Sequence, residues 1–262
     1  MTDPVLLRGD KDHIATLTLN VPHSLNALSM SMIAALRAQI AAIAADPDVR
    51  VVVLRGAGKV FCAGHDLKEI QAARTAADQG RAYFTALFAT CAAMMQALQT
   101  MPQPVIAEVH GMATAGGCQL ASSCDLIVAA DTARFGVNGV DIGLFCSTPM
   151  VALSRKVPSA VAFEMLTTGE FMSATRARDM GLVNRIAPAD TLEQETRALA
   201  AVLVAKLPSA LHLGKAAFYA QAVLPLIEAY AYTGQVMVEN MLALATNEGI
   251  DAFLEKRAPN WG

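Results

Sequence analysis

Two glycine-containing junctions carry the residues best suited to chemistry in this sequence. In residues 110–125, Gly116 and Gly117 follow an apolar run that is typical of a buried strand, and a short helical pattern comes next. Such a junction leaves the first N–H groups of the helix unpaired and directs them, with the positive end of the helix dipole, at whatever lies above the glycines. The missing side chain at Gly116 would let a ligand approach the backbone closely. The junction therefore predicts a site for negative charge, although such glycine pairs also occur in turns that bind nothing.

A second junction has the same organisation. The apolar residues 51–56 predict a buried strand, and residues 57–70 then supply a glycine-containing loop and a helical pattern. This junction offers another free backbone N–H. Two such groups that point at one carbonyl oxygen form an oxyanion hole, which stabilises the negative charge that develops there during a reaction. The first junction lacks the glycine spacing of a P-loop or of a dinucleotide-binding fold, so it does not indicate a nucleotide loop.

The residues of both junctions resemble the crotonase (enoyl-CoA hydratase/isomerase) superfamily. The resemblance is carried by residues 61–68 and 110–125, and it extends over residues 24–257, which is nearly the whole chain. It implies that the ligand is an acyl-coenzyme A thioester, whose oxygen becomes an enolate held by the backbone N–H groups of His65 and Gly116. Coenzyme A would be part of a substrate or ligand, and the resemblance implies no tightly bound cofactor and no metal.

The resemblance also implies where coenzyme A binds. Residues 63–68 would meet the adenine and pantetheine groups, Lys59 and Lys68 would approach phosphates, and Phe253 with Lys256 would complete the nucleotide pocket from an adjacent subunit. Each lysine alone is more simply a solvated surface charge, but together with the loop they fit a phosphate site. The residues predicted to bind the coenzyme are Lys59, Ala63, Gly64, Asp66, Leu67, Lys68, Phe253 and Lys256.

The catalytic positions depart from those of the family. Hydratases of this type use two glutamates, as base and acid at the carbons beside the thioester. The corresponding positions here are Gln119 and Gly139, and a glutamine amide does not accept a proton at neutral pH. Losing a general acid or base typically lowers a rate by roughly 10²–10⁴-fold. Asp141 could replace a missing glutamate if its loop turned inward, although an aspartate there would also suit a turn.

Two functions fit this combination. Gln119 together with residues 137–149 and 213–219 is similar to one branch of the superfamily, the enoyl-CoA hydratase domain-containing protein 3 group. We expect an acyl-CoA-binding enzyme of hydratase or isomerase type that stabilises a thioester enolate without the usual glutamates. The alternative is a catalytically weak or inactive protein that binds acyl-CoA for regulation. A thioesterase would need a nucleophile with a nearby base, and none is evident beside Cys146 or Ser147.

Composition limits the other functional classes. The 262 residues are 54% hydrophobic, which is enough for a large core, and no apolar run approaches the ~20 residues that span a bilayer. A net charge of -3 argues against nucleic-acid binding. Five cysteines without zinc-like spacing indicate buried or free thiols in a reducing cytoplasm. The N-terminal sequence shows no secretory or transit pattern, so we expect a cytoplasmic protein with no membrane partner.

The elements that must hold these residues recur along the chain. A pattern of strand, turn and helix repeats as far as residue 186 and predicts an α/β fold. Periodicity alone does not distinguish a flat doubly wound sheet from a spiral, but the resemblance implies the crotonase (ClpP-like) spiral of stacked β-β-α units. We therefore expect a core over residues 1–190, which holds the coenzyme A and oxyanion sites. Residues 191–262 would form a helical oligomerisation region of a homotrimer or of a hexamer made of two trimers.

Overall fold

Short strands and helices alternate along the chain. The computed structural model describes residues 3–261. The strands are, in chain order, β1 (Leu6–Lys11), β2 (Ile14–Leu19), β3 (Val51–Gly56), β4 (Val60–Cys62), β5 (Val105–Val109), β6 (Met112–Thr114), β7 (Leu126–Ala130), β8 (Arg134–Gly136), β9 (Met172–Ser173) and β10 (Arg185–Ala187). The α-helices are α1 (Met30–Ala44), α2 (Leu67–Ala73), α3 (Arg81–Thr100), α4 (Gly116–Ser123), α5 (Pro149–Leu153), α6 (Ser159–Thr168), α7 (Ala174–Asp179), α8 (Leu192–Val204), α9 (Pro208–Gln221), α10 (Leu226–Leu242) and α11 (Leu244–Leu254). Short 3-10 helices occupy Pro22–Ser24 and Asn138–Ile142.

The larger sheet has the strand order β1-β2-β3-β5-β7-β10. β1 and β2 form an antiparallel hairpin, and the other neighbours are parallel. The residues of β5 are buried along its whole length, and so are the first four residues of β3. Parallel strands that are covered on both faces have continuous apolar sequences. This explains why residues 51–56 and the apolar run before residue 110 predict buried strands.

The smaller sheet has the strand order β4-β6-β8-β9, in which β4, β6 and β8 are parallel neighbours. In the consecutive pairs β3–β4, β5–β6 and β7–β8, the first strand joins the larger sheet and the second joins the smaller one. Helices follow each pair. This is the expected stack of β-β-α units, and it rules out a flat doubly wound sheet. The three-residue strands β4, β6 and β8 were not predicted, because three residues are too few to show a periodic pattern.

Local signals in the sequence set the helix starts near the junctions. α1 begins after Ser29, whose side chain accepts a hydrogen bond from the N–H of Met32. α2 begins after Asp66, whose carboxylate accepts hydrogen bonds from the N–H groups of Lys68 and Glu69. Both are N-caps of the usual kind. The Asp66 cap fixes the start of α2 directly after the second glycine junction.

The C-terminal helices differ in how they contact the core. α8 packs on the larger sheet. α9 is tied to the core by a buried ion pair in which Lys215 Nζ lies 2.6 Å from Asp125 Oδ2. The helices α9 to α11 expose large apolar side chains, among them Phe218, Ile227, Leu242, Leu244 and Phe253. Within one chain this surface is uncovered, and the boundary near residue 190 and the oligomeric state stay predictions.

Among the helices of residues 3–261, none is by itself both long and apolar enough to cross a bilayer. The pair α8 and α9, bent by 102°, meets those conditions only when the two helices are taken together.

Candidate functional site

The two glycine junctions are in direct contact. One lies between β6 and α4, and the other lies between β4 and α2. Gly64 has a φ of +90°, and a Cβ at this position would lie 3.0 Å from both Ala115 Cβ and the backbone N of Gly116. A Cβ on Gly116 would in turn lie 3.4 Å from Gly64 Cα and 3.5 Å from His65 Cδ2. A side chain at Gly64 would therefore force the junctions apart, and its absence lets the two backbones lie side by side.

The turn that follows β2 holds the second junction in place. The N–H of Ala63 donates to the carbonyl oxygen of Leu25 at 3.0 Å, and the N–H of Leu28 donates to that of Gly64 at 2.7 Å. The buried side chain of Asn26 donates from Nδ2 to two carbonyl oxygens between β3 and the start of β4, at 2.8 Å each. These bonds fix the chain that leads into His65 and the carbonyl of Gly64, which belongs to the same peptide unit as the N–H of His65.

Ala115 sets the direction of the other junction. Its φ of 48° and ψ of −120° are rare for a residue with a Cβ, and a backbone of this kind costs of order 1–3 kcal/mol. Its N–H donates to the carbonyl oxygen of Gly136 at 2.9 Å, and its own carbonyl accepts the N–H of Gln119 at 3.0 Å. The strained residue is thus bonded on both sides, and it turns the chain from β6 into the first residue of α4, Gly116.

Two backbone N–H groups remain unpaired where the junctions meet. Within residues 3–261, neither the N–H of His65 nor that of Gly116 donates to an acceptor. The N–H of Gly116 lies at the start of α4, where the helix dipole is positive. Because buried amides are normally paired, two free ones at one contact suit an oxygen supplied by a ligand.

A cavity of about 580 Å³ lies beside these amides, and we call it the main cavity. Its apolar lining comes from Ala63, Leu67, Ile70, Phe88, Ala115, Ile142, Leu144, Phe145 and Pro149. The remaining lining residues are His65, Thr114, Gly116, Asn138, Gly139, Cys146, Ser147 and Thr148. A mainly apolar cavity with few polar groups is typical of small-molecule sites. Its size and walls suit an acyl chain.

The sequence did not predict a hydrogen-bonded pair of polar side chains that lines the main cavity. Thr114 Oγ1 donates to Asn138 Oδ1 at 2.6 Å. Thr114 is the last residue of β6 and Asn138 follows β8, so the parallel pairing of these strands brings the two side chains together. Their positions after short strands were the available signal, but β6 and β8 were themselves not predicted. Asn138 Nδ2 donates one of its two hydrogens to Asp141, so one amide hydrogen is left for a polar substituent on the ligand.

The imidazole of His65 also lines the main cavity. Its ring meets that of Phe88 edge to face, with 5.5 Å between the ring centroids. Both ring nitrogens are shielded from solvent, and neither forms a hydrogen bond of ordinary geometry within residues 3–261. Burial lowers the pKa of His65, and the nearby backbone of Leu28 opposes that shift. The ring is therefore neutral at pH 7.

Gln119, which the sequence resemblance predicts at the position of the first family glutamate, does not line the main cavity. The residue is 5% exposed, and its Oε1 has no hydrogen-bond partner among the described residues. It lines a smaller pocket of about 270 Å³ between α3, α4 and α5, which shares Thr148 with the main cavity. The glutamine amide thus lies next to the main cavity rather than in its wall.

Gly139, which the sequence resemblance predicts at the position of the second family glutamate, does line the main cavity, but a side chain has no room there. A Cβ on Gly139 would lie 2.4 Å from the carbonyl oxygen of Leu144 and 2.8 Å from Cys146 Sγ. The following loop crosses directly over the glycine. In this loop arrangement no carboxylate can be presented from position 139.

Asp141 does not turn inward as the substitute role requires. Its side chain is exposed and lies outside the lining of the main cavity. Its Oδ2 accepts a hydrogen bond of 3.4 Å from Asn138 Nδ2, and its Oδ1 lies 2.8 Å from where a Cβ on Gly169 would be. The packing of Asp141 against the glycine that ends α6 directs the carboxylate away from the amides of the junctions.

The residues predicted to bind coenzyme A are dispersed in a single chain. Ala63 and Leu67 line the main cavity, Gly64 forms the junction contact, and Asp66 caps α2. The others lie outside that lining and are exposed, namely Lys59, Lys68, Phe253 and Lys256. The last two belong to the end of α11 and the residues after it, so their predicted role requires a neighbouring subunit.

The five cysteines are all free and buried. Burial raises the pKa of Cys62 and Cys118 to about 12, and it also raises the pKa of Cys146 in the main cavity. Each is therefore a thiol at neutral pH rather than a nucleophilic thiolate. Within residues 3–261, no group of three or more His, Cys, Asp or Glu side chains is placed to hold a metal ion.

Comparison with known proteins gives one consistent result. A family model described as enoyl-CoA hydratase/isomerase matches residues 9–262. The chain is 45% identical to the mitochondrial enoyl-CoA hydratase domain-containing protein 3 of Xenopus laevis, over 98% of this chain and 86% of that protein. A crystal structure described as an enoyl-CoA hydratase from Mycobacterium smegmatis has a TM-score of 0.95 and 50% identity, covering 99% of each chain. The crystal structure of human enoyl-CoA hydratase domain-containing protein 3 has a TM-score of 0.93 and 42% identity, covering 98% of this chain and 100% of that one.

The same comparison corrects one expectation. The vertebrate relatives of this branch are named mitochondrial, which contradicts the cytoplasmic location expected from the sequence. That expectation was wrong because buried, free thiols fit any reducing compartment and do not identify one.

Proposed function

Because the chain belongs to the enoyl-CoA hydratase/isomerase family, we propose that it binds acyl-coenzyme A thioesters and stabilises the enolate of the bound acyl group. One observation carries the proposal. The unpaired N–H groups of His65 and Gly116 belong to two junctions that are in contact, and both residues line an apolar cavity. A thioester oxygen between them would accept two hydrogen bonds that strengthen as negative charge develops on it.

The reaction that this site supports best is proton transfer at the carbon next to the thioester. Addition of water by the family's route needs two carboxylates, and no residue that lines the main cavity carries one. An enolate requires only the two amides and one group that moves a proton. We therefore propose isomerase-type chemistry ahead of hydration, and ligand binding without turnover as the second candidate.

Coenzyme A would lie with its acyl group in the main cavity and its nucleotide outside. Leu67, Ile70 and Phe88 supply apolar wall on α2 and α3 for the acyl chain. Lys59 and Lys68 would meet the phosphates, and Phe253 with Lys256 would reach the nucleotide from a neighbouring subunit. The exposed apolar faces of α9 to α11 support a homotrimer or a hexamer of two trimers.

A change in the ligand tests the proposal without changing the protein. Calorimetry would compare butanoyl-CoA with butyl-CoA, the thioether in which a methylene replaces the carbonyl. The thioester should bind about 10-fold or more tightly, because the thioether leaves two N–H groups unpaired. We call this ratio the thioester preference. Equal affinities would contradict the oxyanion role, and no binding of either ligand would contradict the acyl-CoA role.

Turnover separates the two candidate functions. Crotonyl-CoA loses its conjugated-thioester absorbance when it is hydrated. Loss of this absorbance at ordinary enzyme rates would show that hydration proceeds without a carboxylate in the main cavity, and it would refute our preference for isomerase-type chemistry. A protein with a clear thioester preference and no change in any CoA thioester would favour the regulatory, ligand-binding function.

A further inference from the structure

A second, smaller space lies beside the main cavity. It has a volume of about 270 Å³ and is lined mainly by residues of α3, α4 and α5, and we call it the side pocket. We infer that the side pocket binds a carboxylate at the far end of the acyl chain, which makes CoA thioesters of dicarboxylic acids the preferred ligands. This rests on the proposed function, since the amides of His65 and Gly116 would hold the thioester end of the same ligand.

Three segments of the chain lead from the main cavity to the side pocket. On α3, Phe88 lines the main cavity and Ala92 lines the side pocket about one turn later. On α4, Gly116 lines the main cavity and Gln119 lines the side pocket, again about one turn later. At 1.5 Å per residue these steps are about 6 and 4.5 Å along the helix axes. The third segment is α5, which begins next to Thr148, the residue that lines both spaces. An acyl chain that outgrows the main cavity therefore reaches the side pocket.

The lining of the side pocket changes from apolar to polar with distance from the main cavity. Its first residues on α3 and α5 are apolar, namely Ala92, Met95, Val151 and Ala152. The last lining residue of each segment is polar, namely Gln99 on α3, Ser123 on α4 and Arg155 directly after α5. A ligand that fits both regions has an apolar middle and a polar end.

The charge of the side pocket is positive. Among the described residues, Arg155 is the charged residue of its lining, and no Asp or Glu lines it. The guanidinium donates a hydrogen bond of 2.8 Å to the carbonyl oxygen of Val151, and within residues 3–261 it has no other hydrogen-bond partner. Most of its five N–H donors are thus left for a ligand, and a planar guanidinium matches the two oxygens of a carboxylate.

Three glutamine side chains add neutral donors to this cation. Gln96, Gln99 and Gln119 line the side pocket, and none of their amide N–H groups donates to an acceptor in the described part of the chain. Each glutamine amide has two such donors. A group at the end of the acyl chain that accepts hydrogen bonds and carries negative charge satisfies both the guanidinium and the amides.

The main cavity would not accept the same group. Among residues 3–261, no Lys or Arg lines it, so a carboxylate that ended there would be buried without a cation, which is costly. A methyl end, in contrast, suits its apolar walls. The two spaces therefore differ in the chain end that they favour, and this difference can be measured with ligands of equal length.

Matched pairs of ligands test the inference. Calorimetry would compare hexanoyl-, octanoyl- and decanoyl-CoA with adipyl-, suberyl- and sebacyl-CoA, which have the same chain lengths and end in a carboxylate. For at least one of these lengths, the wild type should bind the carboxylated ligand about 10-fold or more tightly, because it gains charge-assisted hydrogen bonds. We call this ratio the carboxylate preference.

Arg155→Gln tests whether the side pocket causes the preference. Arg155 is exposed and its side chain forms one hydrogen bond, so the variant should fold, and its affinity for the methyl-ended ligand should change less than about 3-fold. Its carboxylate preference should fall to about equal binding. Arg81→Gln is the matched control, because Arg81 is also exposed but lines a separate hollow that contains Asp78 and shares Phe88 with the main cavity. This variant removes the same charge and should keep the preference.

The possible results separate this inference from the proposed function. Carboxylated ligands that bind no more tightly than methyl-ended ones at all three lengths would overturn the inference and leave the proposed function standing. The same holds if Arg155→Gln keeps the carboxylate preference, or if Arg81→Gln lowers it as much. Failure of the wild type to bind either ligand of any pair would refute the proposed function itself.

Discussion

Replacing Gly64 by alanine tests whether contact between the two junctions creates the oxyanion site. The new methyl group would lie 3.0 Å from the backbone N of Gly116 and 3.0 Å from Ala115 Cβ. Carbon atoms in ordinary contact are about 3.5–4.0 Å apart. The junctions would therefore have to separate by several tenths of an ångström, and one N–H would leave the ligand oxygen.

The expected loss of rate follows from the contribution that one N–H donor makes to stabilising the oxyanion. Removing a single oxyanion donor lowers a reaction rate by about 10²–10³-fold. Moving one donor only part of the way should lower, by about 10–100-fold, the rate at which the carbon next to the thioester exchanges its proton with solvent. The thioester preference should fall towards equal binding. Stability should also fall by about 1–2 kcal/mol, because alanine at a φ of +90° is strained.

Gly181→Ala is the matched control for that strain. Gly181 has a φ of +86°, but a Cβ there would meet only the carbonyl oxygen of Lys156, at an ordinary 3.5 Å. Urea denaturation should show the cost of the strained φ in both variants, with a further loss in Gly64→Ala from the close contact. Only Gly64→Ala should lose the thioester preference and the exchange of the proton on the carbon next to the thioester. If the two variants kept the same preference and the same exchange rate, the contact between the junctions would not be what makes the site.

Three further changes test the surroundings of the site. Lys215→Met should lower the free energy of unfolding by about 3–5 kcal/mol, because it removes the buried cation that lies 2.6 Å from the Asp125 carboxylate. A loss below about 1 kcal/mol in urea denaturation would contradict this. Gly139→Glu should lower the melting temperature and add no crotonyl-CoA hydration, since its Cβ would lie 2.4 Å from a carbonyl oxygen, and a gain in hydration rate would show that the crossing loop gives way. Cys62 and Cys118 should resist iodoacetamide in the native protein at about pH 8, because burial raises their pKa to about 12, and peptide mapping that found them alkylated as fast as in urea would refute their burial.

The sequence predicted the parts of the site that depend on backbone alone. Glycines after apolar strands indicated both junctions, and β3 and β5 are neighbours in the larger sheet, so the loops that follow them come together. The structure agrees in placing Gly64 against Gly116. Backbone positions are predictable here because a parallel sheet of continuous apolar strands fixes them.

The parts that depend on side-chain direction were not predictable in the same way. Gln119 faces a neighbouring pocket, and Asp141 packs against Gly169 instead of turning inward. Both outcomes depend on tertiary packing, which no local sequence pattern specifies. The pairing of Thr114 with Asn138 was hidden for a related reason, since it depends on strands too short to show in the sequence.

A crystal structure of the protein with butanoyl-CoA is the most direct test of the central claim. We expect the thioester oxygen within about 2.7–3.1 Å of the backbone N atoms of both His65 and Gly116. We also expect no carboxylate of the protein within hydrogen-bond reach of the acyl carbons. An oxygen bound to only one of these amides or to neither, or an acyl group outside the main cavity, would contradict the account.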